Sequence, residues 1–375
     1  HYPLRRQRQM CIRDRLRGVA ILMVMFSHFC FIGENLSNDV PIQRFLLSGY
    51  LGVDLFFVLS GFLITGILLD NQHRPRYLRV FYWRRALRIF PLYYFVLLLA
   101  ALSVCCLSPG DALQQRGFDA PWWHWLYLSN IAIMLKQEWL HSPQWIQLSH
   151  FWSLAVEEQF YLCWPFIVRG MSRRHLLWLC LALVLSSPFL GMWMRHGFGD
   201  VGGYVATPTR LGSLAMGALL ALLWRHPLQS RVRKWGAGPL GWLAGVTLLL
   251  LLAARTFVPA ISAIEMLLAT VAAGALLLMA VNLQHPRWQR FLELPLLRHV
   301  GKYSYGLYVY HHALKAVWHH WLWKSWIEPT WGAGFIGISS YVLAAGAASF
   351  AVAYLSWCFL EAPLLKFKDR APAAP

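Results

Sequence analysis

Acidic residues are scarce in this chain. Only 16 Asp and Glu stand against 34 Lys and Arg in 375 residues, and charged residues make up 13% of the total. A soluble protein of this length carries about twice that share, so an ordinary water-soluble globular domain is excluded. Cysteines are few as well. The seven form no CxxC pair, and most sit in apolar runs, which leaves no disulfide frame and no zinc site. No low-complexity tract, internal repeat or second soluble domain is visible. The first apolar run carries too many functional-looking polar residues to read as a discarded leader. Residues 1–13 contribute positive charge and are left unassigned.

What is abundant is apolar. Hydrophobic residues reach 58% and mean hydropathy is +0.46. Runs of about 18 to 25 apolar residues recur between short basic loops, the pattern of a polytopic helical membrane protein. The net charge of +18 is therefore no nucleic-acid footprint, because the positive residues sit in loops between spans, where cytoplasmic retention puts them.

Ten spans are expected, at about 18–33, 50–70, 89–107, 151–168, 176–194, 208–224, 240–256, 262–282, 303–322 and 335–360. With ten, every strongly basic loop lies on the inner side and both termini are cytoplasmic. The region 108–150 must then make no net crossing. Its apolar piece, Trp125 to Leu135, is short for a span and suits an interfacial or re-entrant helix. Trp122, Trp123, Trp125, Trp139, Trp145 and Trp152 cluster in or beside it. They fit an interfacial aromatic belt or a sugar-stacking platform on the outer face.

Polar residues inside the spans carry the chemistry. Arg17 and His28 bracket an apolar run, RGVAILMVMFSH. Their spacing puts them within about 20° on one helix face, roughly 16 Å apart along the axis. Such a stripe faces protein or a water-filled cavity, not lipid. Neutral imidazole suits proton transfer from an alcohol near neutral pH. Asp54 opens the second span, where the helix dipole favours a carboxylate. It is either an N-terminal charge or a partner for a histidine or arginine. Arg85 and Arg88 lie three apart on one face before Pro91. They are either a cytoplasmic flank or a phosphate clamp. Glu157 and Glu158 enter the fourth span side by side, which packing alone does not explain. Arg210, the run Ser304 to His311, His312 and Glu361 are weaker signals. No ligand spacing around His311 and His312 supports a metal.

Together these segments resemble the acyltransferase-3 family of integral membrane acyltransferases, from about Asp14 to Pro363. The pattern comprises Arg17 and His28; Asp54, Phe56, Phe57, Ser60, Gly61 and Phe62; Arg85 and Arg88; and Trp152, Ser153, Leu154 and Glu157. It continues with Ser304, Tyr305, Tyr308 and His311, and ends on Glu361 and Pro363.

The resemblance implies an all-α bundle over 14–363 with a short cytoplasmic tail, 364–375, in a bacterial cytoplasmic membrane. It implies transfer of an acyl group, usually acetyl, from cytoplasmic acyl-CoA to a hydroxyl of a cell-surface glycan or lipid-linked saccharide. Acyl-CoA is then a donor substrate, no cofactor is permanently bound, and no metal or nucleic acid is involved. On that expectation His28 acts as general base or carries the acyl group, with Glu157 and Asp54 fixing its imidazole. Arg17, Arg85 and Arg88 hold the donor. Ser60, Trp152, Ser153, Glu158, Arg210, Tyr305 and His311 contact substrate. Some relatives carry a fused extracytoplasmic SGNH-type domain, which this sequence lacks, so the chain either completes the transfer or hands the acyl group to a separate extracytoplasmic transferase.

The competing class is a transporter of an acyl group or small solute, although no inverted repeat is visible. An unrelated membrane-bound O-acyltransferase fold places its histidine late, unlike His28. A bare membrane anchor needs neither His28 nor Glu157 within a span.

Overall fold

A computed structural model describes residues 2–30, 49, 51–107, 121–140, 142–143, 145–226, 262–282 and 290–369. Among them no strand occurs. The helices are α1 (Tyr2–Cys30), α2 (Leu51–Asn71), α3 (Tyr77–Leu107), α4 (Trp122–Trp125), α5 (Ser129–Lys136), α6 (Phe151–Gly170), α7 (Arg173–Val205) and α8 (Thr207–Leu223). They continue as α9 (Ser262–Asn282), α10 (Pro295–Lys302), α11 (Ser304–Ala313), α12 (Lys315–Trp318), α13 (Glu328–Trp331), α14 (Phe335–Ser356) and α15 (Ala362–Leu365).

Among the described residues four stretches are long and apolar enough to cross a membrane: Leu51–Asn71, Tyr77–Val104, Arg173–Val205 and Phe335–Lys368. Thr207–Leu223 and Glu265–Val281 are shorter apolar helices. Outward faces carry large apolar side chains, among them Leu185, Phe189 and Trp193 on α7 and Phe335 and Leu343 on α14. Water would disfavour such a surface, whereas lipid suits it. The expected span at about 240–256 lies outside the described residues, as do residues 108–120 and 370–375.

Small residues set the tightest helix contacts. Gly61 of α2 and Gly217 of α8 face each other's helix backbones. A Cβ on Gly61 would strike the Leu214 carbonyl, and one on Gly217 would strike the Val58 carbonyl. In α1, Gly18 abuts the Leu297 carbonyl of α10, and Gly301 of α10 abuts the Asp14 carbonyl. Close approach through small residues substitutes for the hydrophobic drive that lipid does not supply between helices. These two contacts fix α1, which carries Arg17 and His28, and α2, which carries Asp54 and Ser60.

Several boundaries differ from expectation. The third helix begins at Tyr77, not near residue 89. Arg84, Arg85 and Arg88 are therefore helical, and Pro91 lies inside α3 without ending it. The expected span at about 303–322 is broken into α11, α12 and a π-helical turn at His319–Ile327. α7 has a break at Phe198 and Gly199, where Gly199 has φ of 68°, a left-handed conformation that glycine adopts without steric cost. In the Trp-rich region α5 has only eight residues, about 12 Å of rise, too short to cross a bilayer. Among the described residues four cysteines are free thiols: Cys30 and Cys180 are buried, and Cys163 and Cys358 are exposed.

Candidate active site

Three cavities lie in series along α2. The first uses its later residues, including Leu59, Gly66 and Asp70. The second uses Val53, Phe56, Phe57 and Ser60. The third uses Leu51, Val53 and Asp54. Asp54 and Asp70 are about 24 Å apart along the axis of such a helix. α6 repeats the order: Trp152 lines the third cavity, while Ser153, Glu157 and Tyr161 line the second. In α1, Leu16 lines the first, Arg17 the second and His28 the third. The two ends of the Arg17–His28 stripe therefore each face a cavity.

The first cavity, about 520 Å³, is strongly basic. Arg74, Arg84, Arg85, Arg88 and Arg225 line it with one carboxylate, Asp70. Asp70 is occupied by Arg225, which donates to both of its oxygens at 2.8 Å. Arginines in this number on one wall suit phosphates, which accept their forked donors.

The second cavity is a constriction of about 90 Å³ that shares Arg85 and Arg88 with the first. Arg85 lies over the Tyr161 ring, 3.5 Å from its centroid. The Ser60 and Tyr161 hydroxyls are hydrogen-bonded to each other, and both reach the Glu157 carboxylate, which faces Arg85 and Arg17. Glu158 lines the same space, and its Oε1 has no partner. Tyr305 donates to the Ile89 carbonyl at 2.7 Å, and Ser153 is hydrogen-bonded to Tyr308. Glu361 accepts from Ser356 at 3.2 Å and faces Arg88.

The third cavity, about 450 Å³, is lined by His28, His150 and His312, with Trp139 and Trp152 as aromatic walls. His28 Nδ1 and His311 Nε2 are 2.8 Å apart. His312 lies edge-on to His28, with ring centroids 4.7 Å apart, and also 4.7 Å from the His150 ring. The His150 Nε2–H donates to the Val309 carbonyl at 3.1 Å, since a carbonyl only accepts. Its proton-free Nδ1 is buried without a partner, as is His312 Nδ1.

Across the cavity Arg210 donates to Asp54 at 3.1 Å and to the Tyr204 carbonyl at 2.7 Å. Ser213 adds a bond to Asp54 at 3.0 Å. Arg210 Nη2 has no partner and belongs to a residue on the cavity wall. Buried polar atoms without partners are rare and call for a ligand or water. Here Glu158 Oε1, His150 Nδ1, His312 Nδ1 and Arg210 Nη2 all belong to residues lining the second and third cavities.

The acyltransferase-3 profile, described as an acyltransferase domain, matches residues 14–358. The chain belongs to the acyltransferase-3 family. It is similar to the peptidoglycan O-acetyltransferase OatA of Listeria monocytogenes, 26% identical over 372 residues, which cover 94% of this chain and 55% of OatA. It is also similar to YrhL of Bacillus subtilis, provisionally named a peptidoglycan O-acetyltransferase. Identity there is 34% over 226 residues, covering 56% of this chain and 33% of YrhL. The chain thus spans about half or less of the length of these two relatives. No solved structure matches it significantly.

Within this acyltransferase domain, the expected residues gather into the three cavities, with two corrections. Glu157 and Asp54 do not reach His28: Glu157 serves Arg85 and Arg17 in the constriction, and Asp54 serves Arg210. The ring partner of His28 is His311, expected to contact substrate but set behind His28 and fully buried. His150, which precedes α6, is a cavity residue that sequence reasoning missed. Its one signal is its place immediately before Phe151-Trp-Ser-Leu. Among the described residues no group of His, Cys, Asp or Glu is arranged to hold a metal ion.

Proposed function

We propose that the chain is a membrane O-acetyltransferase that moves acetyl from acyl-CoA to a hydroxyl of a cell-wall or cell-surface glycan. One observation carries this reading: the basic cavity, the constriction and the histidine-lined cavity follow one another along α2 in that order. A donor with a phosphorylated head and a long thin arm ending in a thioester has that shape. Its phosphates lie on Arg85 and Arg88, its arm runs past Ser60, Tyr305 and Arg17, and its thioester emerges beside His28.

The acceptor occupies the third cavity, against Trp139 and Trp152, where stacking on sugar faces is available. Arg210 Nη2 and Glu158 supply hydrogen bonds to substrate. His28 takes the proton of the acceptor hydroxyl as its oxygen attacks the thioester carbonyl. The carbon–oxygen bond forms, the carbon–sulfur bond breaks, and the thiolate leaves with that proton. An acyl-histidine route uses the same ring as nucleophile. Ten spans with both termini cytoplasmic set the basic cavity on the cytoplasmic side of a bacterial membrane and the histidines toward the outside. The names of OatA and YrhL support a peptidoglycan-like acceptor, and their greater length leaves room for an extracytoplasmic transferase acting with this domain.

The test is thiol release from acetyl-CoA by the full chain in lipid nanodiscs, with and without soluble N-acetylglucosamine oligosaccharides. The native chain should release thiol in an acceptor-dependent way, and His28→Ala should lose nearly all of it while folding normally. Full activity in His28→Ala removes the base. Solute flux through vesicles without thioester consumption replaces the reading with a transporter.

A further inference from the structure

We infer that His311 is the positioning residue of this site: it holds the His28 imidazole in the tautomer whose lone pair is on Nε2. This rests on His28 being the reacting ring of the proposed acyl transfer.

The argument runs through two hydrogen bonds in series. His311 Nδ1 is 2.9 Å from the Leu307 carbonyl oxygen, one turn back in α11. A carbonyl cannot donate, so His311 carries its proton on Nδ1. A neutral imidazole has one donor and one acceptor, which leaves His311 Nε2 as the acceptor. His28 Nδ1 lies 2.8 Å from that atom and must be the donor. The proton of His28 is thereby fixed on Nδ1, and its lone pair is left on Nε2. A helix carbonyl thus sets the reactive nitrogen through an intervening ring.

Ring geometry agrees. The two planes are 8° apart with centroids at 5.1 Å. With nitrogens only 2.8 Å apart, that separation requires the rings to lie edge to edge in nearly one plane, not face over face. An in-plane contact aims lone pair and N–H along one line, the favoured hydrogen-bond direction. His311 cannot swing away. It is fully buried, with Phe29, Tyr308, His150 and His312 against its ring. It also lies outside the wall of the third cavity, which His28 and His312 line. His311 therefore acts through His28 and does not contact the acceptor.

In the transfer step the acceptor proton moves to His28 Nε2 as the carbon–oxygen bond forms. The ring becomes a cation whose Nδ1–H still points at His311 Nε2, and the proton returns to the leaving thiolate as the carbon–sulfur bond breaks. His311 changes neither protonation nor covalent state. The logic is that of a third group orienting a base, here supplied by a second imidazole in place of a carboxylate.

The test compares His311→Leu, which removes the acceptor, with His311→Gln, whose side-chain carbonyl can accept where Nε2 did. Both are measured in nanodiscs beside the native chain and His28→Ala. His311→Leu should lower kcat for thiol release from acetyl-CoA at least about tenfold, by analogy with the loss of partners that orient metal-bound imidazoles, with KM for acetyl-CoA unchanged. His311→Gln should recover much of the loss. A second readout needs no donor: carbethoxylation of His28 by diethyl pyrocarbonate, followed by peptide mass spectrometry, should slow in His311→Leu and recover in His311→Gln. Native kcat and native His28 modification in folded His311→Leu overturn the inference while leaving His28 as base. So does a His311→Gln variant no better than His311→Leu. Full activity in His28→Ala instead overturns the base reading itself, and the inference with it.

Discussion

Asp54 and Arg210 meet at 3.1 Å between α2 and α8, and both side chains are buried. Ser213 and the Tyr204 carbonyl complete the bonding of the pair. Removing one partner leaves the other charge buried without its counter-charge. Arg210→Ala should therefore destabilise the fold by about 3–5 kcal/mol, and Asp54→Ala similarly. The double variant Asp54→Leu with Arg210→Met should recover most of that loss. Thermal unfolding in detergent checks all three. Equal stability of the single variants and the native chain would mean that the pair does not hold α2 to α8.

The same interface depends on the absence of two methyl groups. Gly217→Ala would press a Cβ into the Val58 carbonyl, and neither backbone yields cheaply. The expected cost is about 1–3 kcal/mol, read as a lower unfolding temperature. Gly346, whose Cβ would meet nothing within 4 Å, is the control and should tolerate alanine.

Much of this arrangement is legible in the sequence, and the part that is not has a common cause. Helix periodicity puts Arg17 and His28 on one face, and both do line the train of cavities. It cannot say which of several polar residues on other helices each one meets. Glu157 looks like a natural partner for His28, yet it lies about 7 Å further along α6 than Trp152, which lines the His28 cavity. His311 comes 283 residues after His28, and no local pattern announces that contact. Pro91 in the sequence suits a helix start, yet the helix runs through it from Tyr77, because neighbouring helices can compensate one lost bond in a membrane. The break at Gly199 and the π-helical turn at His319–Ile327 leave no clear mark in an apolar pattern.

Arg85 should govern donor affinity. It lines both the basic cavity and the constriction, so Arg85→Ala should raise KM for acetyl-CoA about ten- to hundredfold, the worth of one lost charge-assisted bond. The rate at saturating donor should fall little. A KM equal to native would move the phosphate site elsewhere.

Ser60 offers a way to close the passage without touching either end. Ser60→Leu places a larger apolar side chain into the constriction of about 90 Å³. Thiol release from acetyl-CoA should fall sharply. Carbethoxylation of His28 should stay native, since His28 faces the third cavity. Retained thiol release would mean that the donor reaches His28 by another route.

Val53 and Tyr308 line both the constriction and the histidine cavity. Cavities that approach each other through a membrane protein leave little insulation where they meet, and a bilayer must not leak ions. Here the barrier rests on one aliphatic side chain and one phenol anchored to Ser153 and to the His150 carbonyl. A phenol tied at its tip is a firm plug, so on the proposed route the two side chains that the donor arm would have to pass are also the ones that would insulate the membrane between turnovers.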